Sequence, residues 1–180
     1  MRVSEDRLSA ASFEDLALPL FDQLYNFARW LTQDTAEAED LVQETYAKAL
    51  RGFASFQAGT NFRAWMYRIL RNSFLSSRTG LKTTVVLDEE DGDGMPVEST
   101  TPESLLIEQA NRELVQQALE GLPVPFREIL LLCEVEEMSY QEIAETLGIP
   151  IGTVMSRLSR ARKALRDALR DRIERGRHGV

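Results

Sequence analysis

Apolar residues recur at intervals of three and four along almost the whole chain, and that spacing commits it to helices rather than strands. Between about Thr79 and Thr101 the pattern stops. There the chain gathers Gly, Ser, Thr and Pro around the acidic run Asp88-Glu89-Glu90-Asp91-Gly92-Asp93, a composition that cannot bury enough apolar surface to hold a fold. The expected architecture is therefore all-α, with two small helical domains, 1–80 and 104–180, joined by a flexible acidic linker over 81–103. The interruption, 23 residues long, could reach about 75 Å at ~3.3 Å per residue. That is enough to set two domains about two turns of duplex apart at ~34 Å per turn.

The first expected helix runs from about Ser12 to Leu31 on a stripe of Phe13, Leu16, Leu20, Leu24, Phe27 and Leu31, with a kink or break at Pro19. A second starts at Asp34, with Glu37 completing a capping box, and continues to about Leu50. A third follows Asn61, its apolar face carried by Phe62, Trp65, Met66, Ile69, Leu70 and Phe74. Helical pattern resumes after Thr101-Pro102 and runs to Gly121, and another helix is expected from Pro125 to about Val135.

Composition narrows the chemistry. One cysteine, Cys133, excludes an internal disulfide and a cysteine-based zinc cluster, and one histidine, His178, argues against a His-rich metal site or a Ser-His-Asp triad. No catalytic residue, cofactor or metal is expected. Cys133 itself, in Leu130-Leu131-Leu132-Cys133, reads as packing. The opening MRVSEDRLSAASFEDL puts acids where a signal peptide needs an apolar run, and no stretch approaches the ~18 apolar residues of a span, so a cytoplasmic chain without membrane insertion is expected.

Net charge is -8, but its distribution is uneven: residues 1–80 carry -1, 81–120 carry -8, 121–150 carry -5 and 151–180 carry +6. Such a chain can bring its C-terminal end to phosphate while its middle avoids it. That basic end belongs to SYQEIAETLGIPIGTVMSRLSRARKALR, residues 139–166. Ser139 and Glu142 form a capping box, Ile143, Ala144 and Leu147 face inward, and Gly148 permits the left-handed turn that stops the helix. After Pro150, Val154, Leu158, Ala161 and Leu165 bury one side of a second helix. The rest, Thr153, Ser156, Arg157, Ser159, Arg160 and Lys163, fall on exposed or flanking faces, with Arg162, Lys163 and Arg166 placed for phosphate. This is the pattern of a helix-turn-helix, whose second helix fits the major groove, where Arg pairs with guanine and Ser or Thr with several base edges.

Two further constellations stand out. In AEAEDLVQETYAKAL, residues 36–50, an inner face of Leu41, Val42, Thr45, Ala49 and Leu50 opposes an acidic outer one of Glu37, Asp40 and Glu44 beside Gln43. That face could serve a partner, a metal or acid–base work, or simply be solvated with a Glu44–Lys48 pair. In residues 53–78, aromatics mingle with Arg63, Arg68, Arg71 and Arg78, as suits single-stranded DNA. Phe62, Trp65 and Phe74 nevertheless lie on the apolar face, which leaves the loop Gln57 to Asn61 and the exposed arginines as the functional candidates.

Together, Asp40-Leu41-Val42-Gln43-Glu44, the run Phe62 to Ile69, and Gly152-Thr153-Val154 with Ser156-Arg157 and Arg160-Ala161-Arg162 resemble the bacterial RNA polymerase sigma factors of the extracytoplasmic-function group, in order and rough spacing. The resemblance implies an N-terminal domain that binds core polymerase and opens the minus-10 element, and a C-terminal domain that reads the minus-35 element. It implies that Asp40, Gln43 and Glu44 meet the polymerase clamp helices. Asn61 and its loop would capture a flipped base, with Arg63, Arg68 and Arg71 along the melted strand. Ser156, Arg157, Ser159 and Arg160 would approach minus-35 bases, and Thr153 and Lys163 would lie near phosphate. Met155 departs from the pattern, since many relatives carry a basic residue there. Leu18-Pro19, Asp22-Gln23-Leu24-Tyr25 and Glu44 to Ala49 are similar to the redox-stress branch, which implies a cognate anti-sigma protein of the zinc-containing kind. Implied partners are thus core RNA polymerase, promoter DNA and an anti-sigma factor, the free chain being a monomer. A stand-alone helix-turn-helix regulator is the runner-up, and a carboxylate enzyme using Asp40 and Glu44 a third possibility.

Overall fold

The computed structural model describes residues 11–79 and 112–177, and it divides the chain into two compact units, 1–80 and 81–180. Every regular element among the described residues is helical. None of these helices is long and apolar enough to cross a membrane. The acidic linker assigned to 81–103, and the start of helix expected at Thr101-Pro102, lie outside the described residues.

In the first unit the expected long first helix is broken. Helix α1 (Phe13–Ala17) opens on a complete capping box between Ser12 and Asp15, a 3-10 turn (Leu18–Leu20) holds Pro19 near its start, and α2 (Phe21–Thr32) follows. Proline has no N–H to continue the α-helical ladder, and the tighter turn sends the Phe21 N–H to the Leu18 carbonyl. The Ala17 carbonyl, at the head of that turn, accepts from the Tyr46 hydroxyl at 2.6 Å. Helix α2 ends at Gln33, in left-handed conformation with φ 60°, and the next helix, α3 (Thr35–Gly52), starts two residues later.

At the head of α3, Asp34 accepts from the Glu37 N–H at 2.9 Å, but the reciprocal half of the expected capping box is replaced: the Glu37 carboxylate pairs with Arg78 at 3.0 Å. That pair ties α3 to α4 (Phe62–Thr79). Helices α2, α3 and α4 pack against one another around Leu24, Phe27, Leu31, Leu41, Val42, Tyr67, Met66, Leu70 and Phe74. Two expectations are corrected here. Leu50 is 57% exposed, because Ala38, Leu41, Val42, Thr45 and Ala49 already form the buried stripe and Leu50 steps ~100° past it. Phe62 and Trp65 are only half-buried, while Ala64 and Tyr67 take the core positions.

The second unit is built on one long helix. Helices α5 (Arg112–Glu120), α6 (Val124–Leu130) and α7 (Tyr140–Leu147) pack on α8 (Ile151–Arg177). Helix α6 widens into a π-helical turn over Leu131–Val135, where a regular helix was expected. The carbonyls at the end of α5 and in the turn after it are capped by buried Arg127, which donates to the Leu119, Glu120 and Leu122 carbonyls at 3.0–3.1 Å, and by Arg172, which reaches the Gln117 carbonyl at 2.9 Å. Cations at a helix C-terminus also oppose the negative end of its dipole.

Candidate functional site

The acidic face of α3 is built by its own periodicity. With Ala38, Leu41, Val42, Thr45 and Ala49 buried, Asp40, Gln43 and Glu44 are all exposed on the other side. Glu44 pairs with Lys48 at 2.7 Å, and Lys48 also donates to the buried Ser73 hydroxyl on α4 at 2.9 Å. Beside this face runs a groove of about 580 Å³ lined by Phe21, Asp22, Tyr25, Glu39, Val42, Gln43 and Tyr46. Phe21, 46% exposed, stands at its rim with its ring 5.8 Å from that of Tyr46. The groove was missed in the sequence. Its signal is the pair Phe21 and Tyr25, four residues apart and off the stripe Leu24, Phe27, Leu31, where solvated residues would be expected. Tyr46 binds α1 as well as lining the groove, and burial, with the Asp22 carboxylate adding to it, pushes its phenol up to about 12.

The loop Gln57 to Asn61 is tightly made. Gly59 has φ +90°, a backbone state that favours glycine, and the Thr60 N–H and hydroxyl both donate to the Gln57 carbonyl, at 3.2 and 2.7 Å. Asn61 accepts from the Ala64 N–H at 3.0 Å through its side chain, which caps α4 and fixes the loop's exit. Aromatic rings hold both stems: Phe53 and Phe56 before the loop, Phe62 and Trp65 after it, with centroids 5.0–5.5 Å apart for Phe56–Trp65, Phe56–Phe62 and Phe62–Trp65. Of the three arginines expected along the melted strand, Arg68 is exposed and Arg71 half-buried, while the Arg63 guanidinium lies 5.7 Å from the centre of the buried Tyr67 ring. Arg63 therefore also has a packing task.

In the second unit the turn between α7 and α8 follows its sequence closely. Ser139 and Glu142 form the complete capping box at 2.8 and 3.1 Å, Gly148 takes φ 67°, and the Pro150 carbonyl accepts the first bond of α8 from the Val154 N–H. Ile143, Ala144 and Leu147 are buried, as are Val154, Leu158, Ala161 and Leu165. Ser159, Arg160 and Lys163 are exposed, and Thr153, Ser156 and Arg157 are half-buried beside them. Met155 is 45% exposed. Arg162 is corrected: rather than standing out toward phosphate, it turns back to the π-helical turn, where it binds the Glu134 carboxylate at 2.7 Å and lies 3.8 Å from the Cys133 sulfur. Cys133 is half-buried, and burial, with Glu134 adding to it, pushes its thiol up. Such a thiol is less readily ionised than a free one.

Residues 19–83 match the family model described as sigma-70 region 2, and residues 112–165 that of sigma-70 region 4. Among curated proteins, the chain is similar to ECF RNA polymerase sigma factor SigE of Mycolicibacterium smegmatis, 38% identical over 166 residues that cover 91% of this chain and 64% of that protein. It is also similar to ECF RNA polymerase sigma factor SigW of Bacillus subtilis, 32% identical over 168 residues, covering 89% and 90%. Among solved structures it is similar to the sigma factor RpoE in complex with the anti-sigma factor NepR from Bartonella quintana, with a TM-score of 0.65 and 30% identity over 87% of this chain and 98% of that one.

Proposed function

The chain belongs to the extracytoplasmic-function group of sigma-70 RNA polymerase sigma factors, which are alternative factors for transcription initiation, and from that premise we propose how its two units divide the work. Core polymerase docks through its clamp helices on the outer face of α3, with Asp40, Gln43 and Glu44 as the polar contacts. The groove beside that face supports this reading, because a half-exposed aromatic, Phe21, set among polar residues is the make-up of an interface anchor. The loop Gln57 to Asn61 takes a flipped minus-10 base, and Arg63, Arg68 and Arg71 lie along the melted strand. In the minus-35 major groove, Ser156, Arg157, Ser159 and Arg160 approach bases, with Thr153 and Lys163 near phosphate.

One observation carries the proposal. The acidic face and the helix-turn-helix belong to separate compact units of one chain, so polymerase docking and minus-35 reading do not compete for one surface. A stand-alone regulator is not favoured, since it has no use for a region 2 fold. The chain performs no reaction of its own, nucleotide addition being the polymerase's, and it acts in the cytoplasm as a monomer until it meets its partners. A cognate anti-sigma protein restrains it, in line with the complex in which the similar RpoE was solved. The redox-stress branch rests on Leu18-Pro19, Asp22 to Tyr25 and Glu44 to Ala49, and it requires that this anti-sigma protein contain zinc.

The test is run-off transcription by bacterial core polymerase on a sheared genomic library, with and without the protein, reading RNA 5′ ends. New starts that share two upstream motifs about two helical turns apart are expected. DNA bound by the protein alone, with no new starts, would return the reading to a regulator.

A further inference from the structure

We infer that Phe13, on the short helix α1, is a positioning residue for the promoter-reading loop Gln57 to Asn61, an inference that rests on the loop's role in the proposed function. The Phe13 ring meets Phe53, before the loop, at 5.4 Å and Phe62, after it, at 6.3 Å, and it meets Tyr46 on α3 at 6.4 Å. All three contacts are edge-on, with interplanar angles of 67–79°, the favoured arrangement for aromatic pairs. One side chain thus joins both stems of the loop to the helix that carries the acidic face.

A five-residue helix has no stability of its own. Helix α1 is held in place by the Ser12–Asp15 capping box at its start and by the Tyr46 hydroxyl on the Ala17 carbonyl at its end. Between those fixed points Phe13 presents its ring to the stems. The turn itself has local bonds at Thr60 and Asn61, yet the rings of Phe53, Phe56, Phe62 and Trp65 determine where that turn stands. A loop ordered before it meets its ligand spends less of the binding energy on ordering, so bracing the stems favours capture of an extruded base. Phe13 contributes this without touching DNA.

The experiment uses the full chain bound to core RNA polymerase and measures open-complex formation on three promoters: matched, substituted at the captured minus-10 base, and substituted in the minus-35 element. Phe13→Ala, which removes all three ring contacts, is expected to cut discrimination at the minus-10 base by about 3- to 10-fold, while discrimination at minus-35 stays as in the wild type. Phe13→Tyr keeps the ring and should keep both. If Phe13→Ala does not fold, Phe13→Leu makes the same comparison with an apolar side chain kept and the ring edge removed. Equal losses on all three promoters, or an unchanged minus-10 ratio, would overturn the inference. Asn61→Ala separates the two levels. If it leaves minus-10 discrimination intact, the loop's assigned role fails and the inference with it; if it abolishes discrimination and Phe13→Ala leaves it unchanged, only the inference fails.

Discussion

Tyr46 donates to the Ala17 carbonyl at 2.6 Å, and burial with Asp22 nearby raises its pKa from 10.0 to about 12. The sign of the consequence is fixed by linkage. Below pH 10 both folded and unfolded chains keep the phenol proton; between about 10 and 12 the unfolded chain gives it up first, so the contribution of Tyr46 to stability is lost as pH rises through that window. Both tryptophans, Trp30 and Trp65, lie in the first unit, which makes their fluorescence a selective probe of its unfolding. Tyr46→Phe should lower that unit's stability by about 0.5–1.5 kcal/mol at neutral pH. It should also remove the component of alkaline destabilisation between pH 10 and 12; urea titrations that fall in parallel for both proteins across that range would refute the assignment. The position could not be read from the sequence. Tyr46 reads there as one more residue of an amphipathic helix, and its partner is a backbone carbonyl 29 residues upstream on another helix.

Elements whose ends are set by local chemistry were legible; those whose ends depend on a distant partner were not. The helix-turn-helix could be read almost whole, because Ser139, Glu142, Gly148 and the stripe Val154, Leu158, Ala161, Leu165 act within a few residues of themselves. The half-box at Asp34 and the inward turn of Arg162 were not, because Glu37 and Arg162 are claimed by Arg78 and Glu134 from other helices. The same locality gives a paired prediction on two glycines. Gly148 has φ +67° and Gly152 lies in the first turn of α8, and a Cβ at either would meet nothing within 4 Å. Packing is therefore silent and only backbone preference acts. Gly148→Ala should destabilise the second unit by about 1–2 kcal/mol, the cost of a left-handed L-residue, while Gly152→Ala should stabilise it by about 0.5–1 kcal/mol. Far-UV circular dichroism during urea unfolding reads both changes, and two shifts of the same sign would show that the account of the turn is wrong.

For the whole molecule, charge is the property that distinguishes its two surfaces: an acidic α3 face in one unit, and +6 over residues 151–180 in the other. Salt distinguishes what each charge does. A lysine that neutralises one phosphate releases about one counterion, so the logarithm of affinity against the logarithm of salt loses a slope of ~0.9 when it is removed, whatever the sequence bound. An arginine that reads a base instead costs ~1–3 kcal/mol at its own base pair. For the full chain with core polymerase, Lys163→Ala should reduce the salt slope of promoter binding by about one on matched and substituted minus-35 elements alike. Arg160→Ala should weaken binding chiefly where its base is matched. Asp40→Ala with Glu44→Ala should weaken assembly with core polymerase, yet leave the slope unchanged once core is supplied at saturation, since the proposed function gives both carboxylates to polymerase and neither to DNA. A change of slope in the acidic pair, or none in Lys163→Ala, would mean that the two surfaces are not divided between polymerase and promoter as their charges imply.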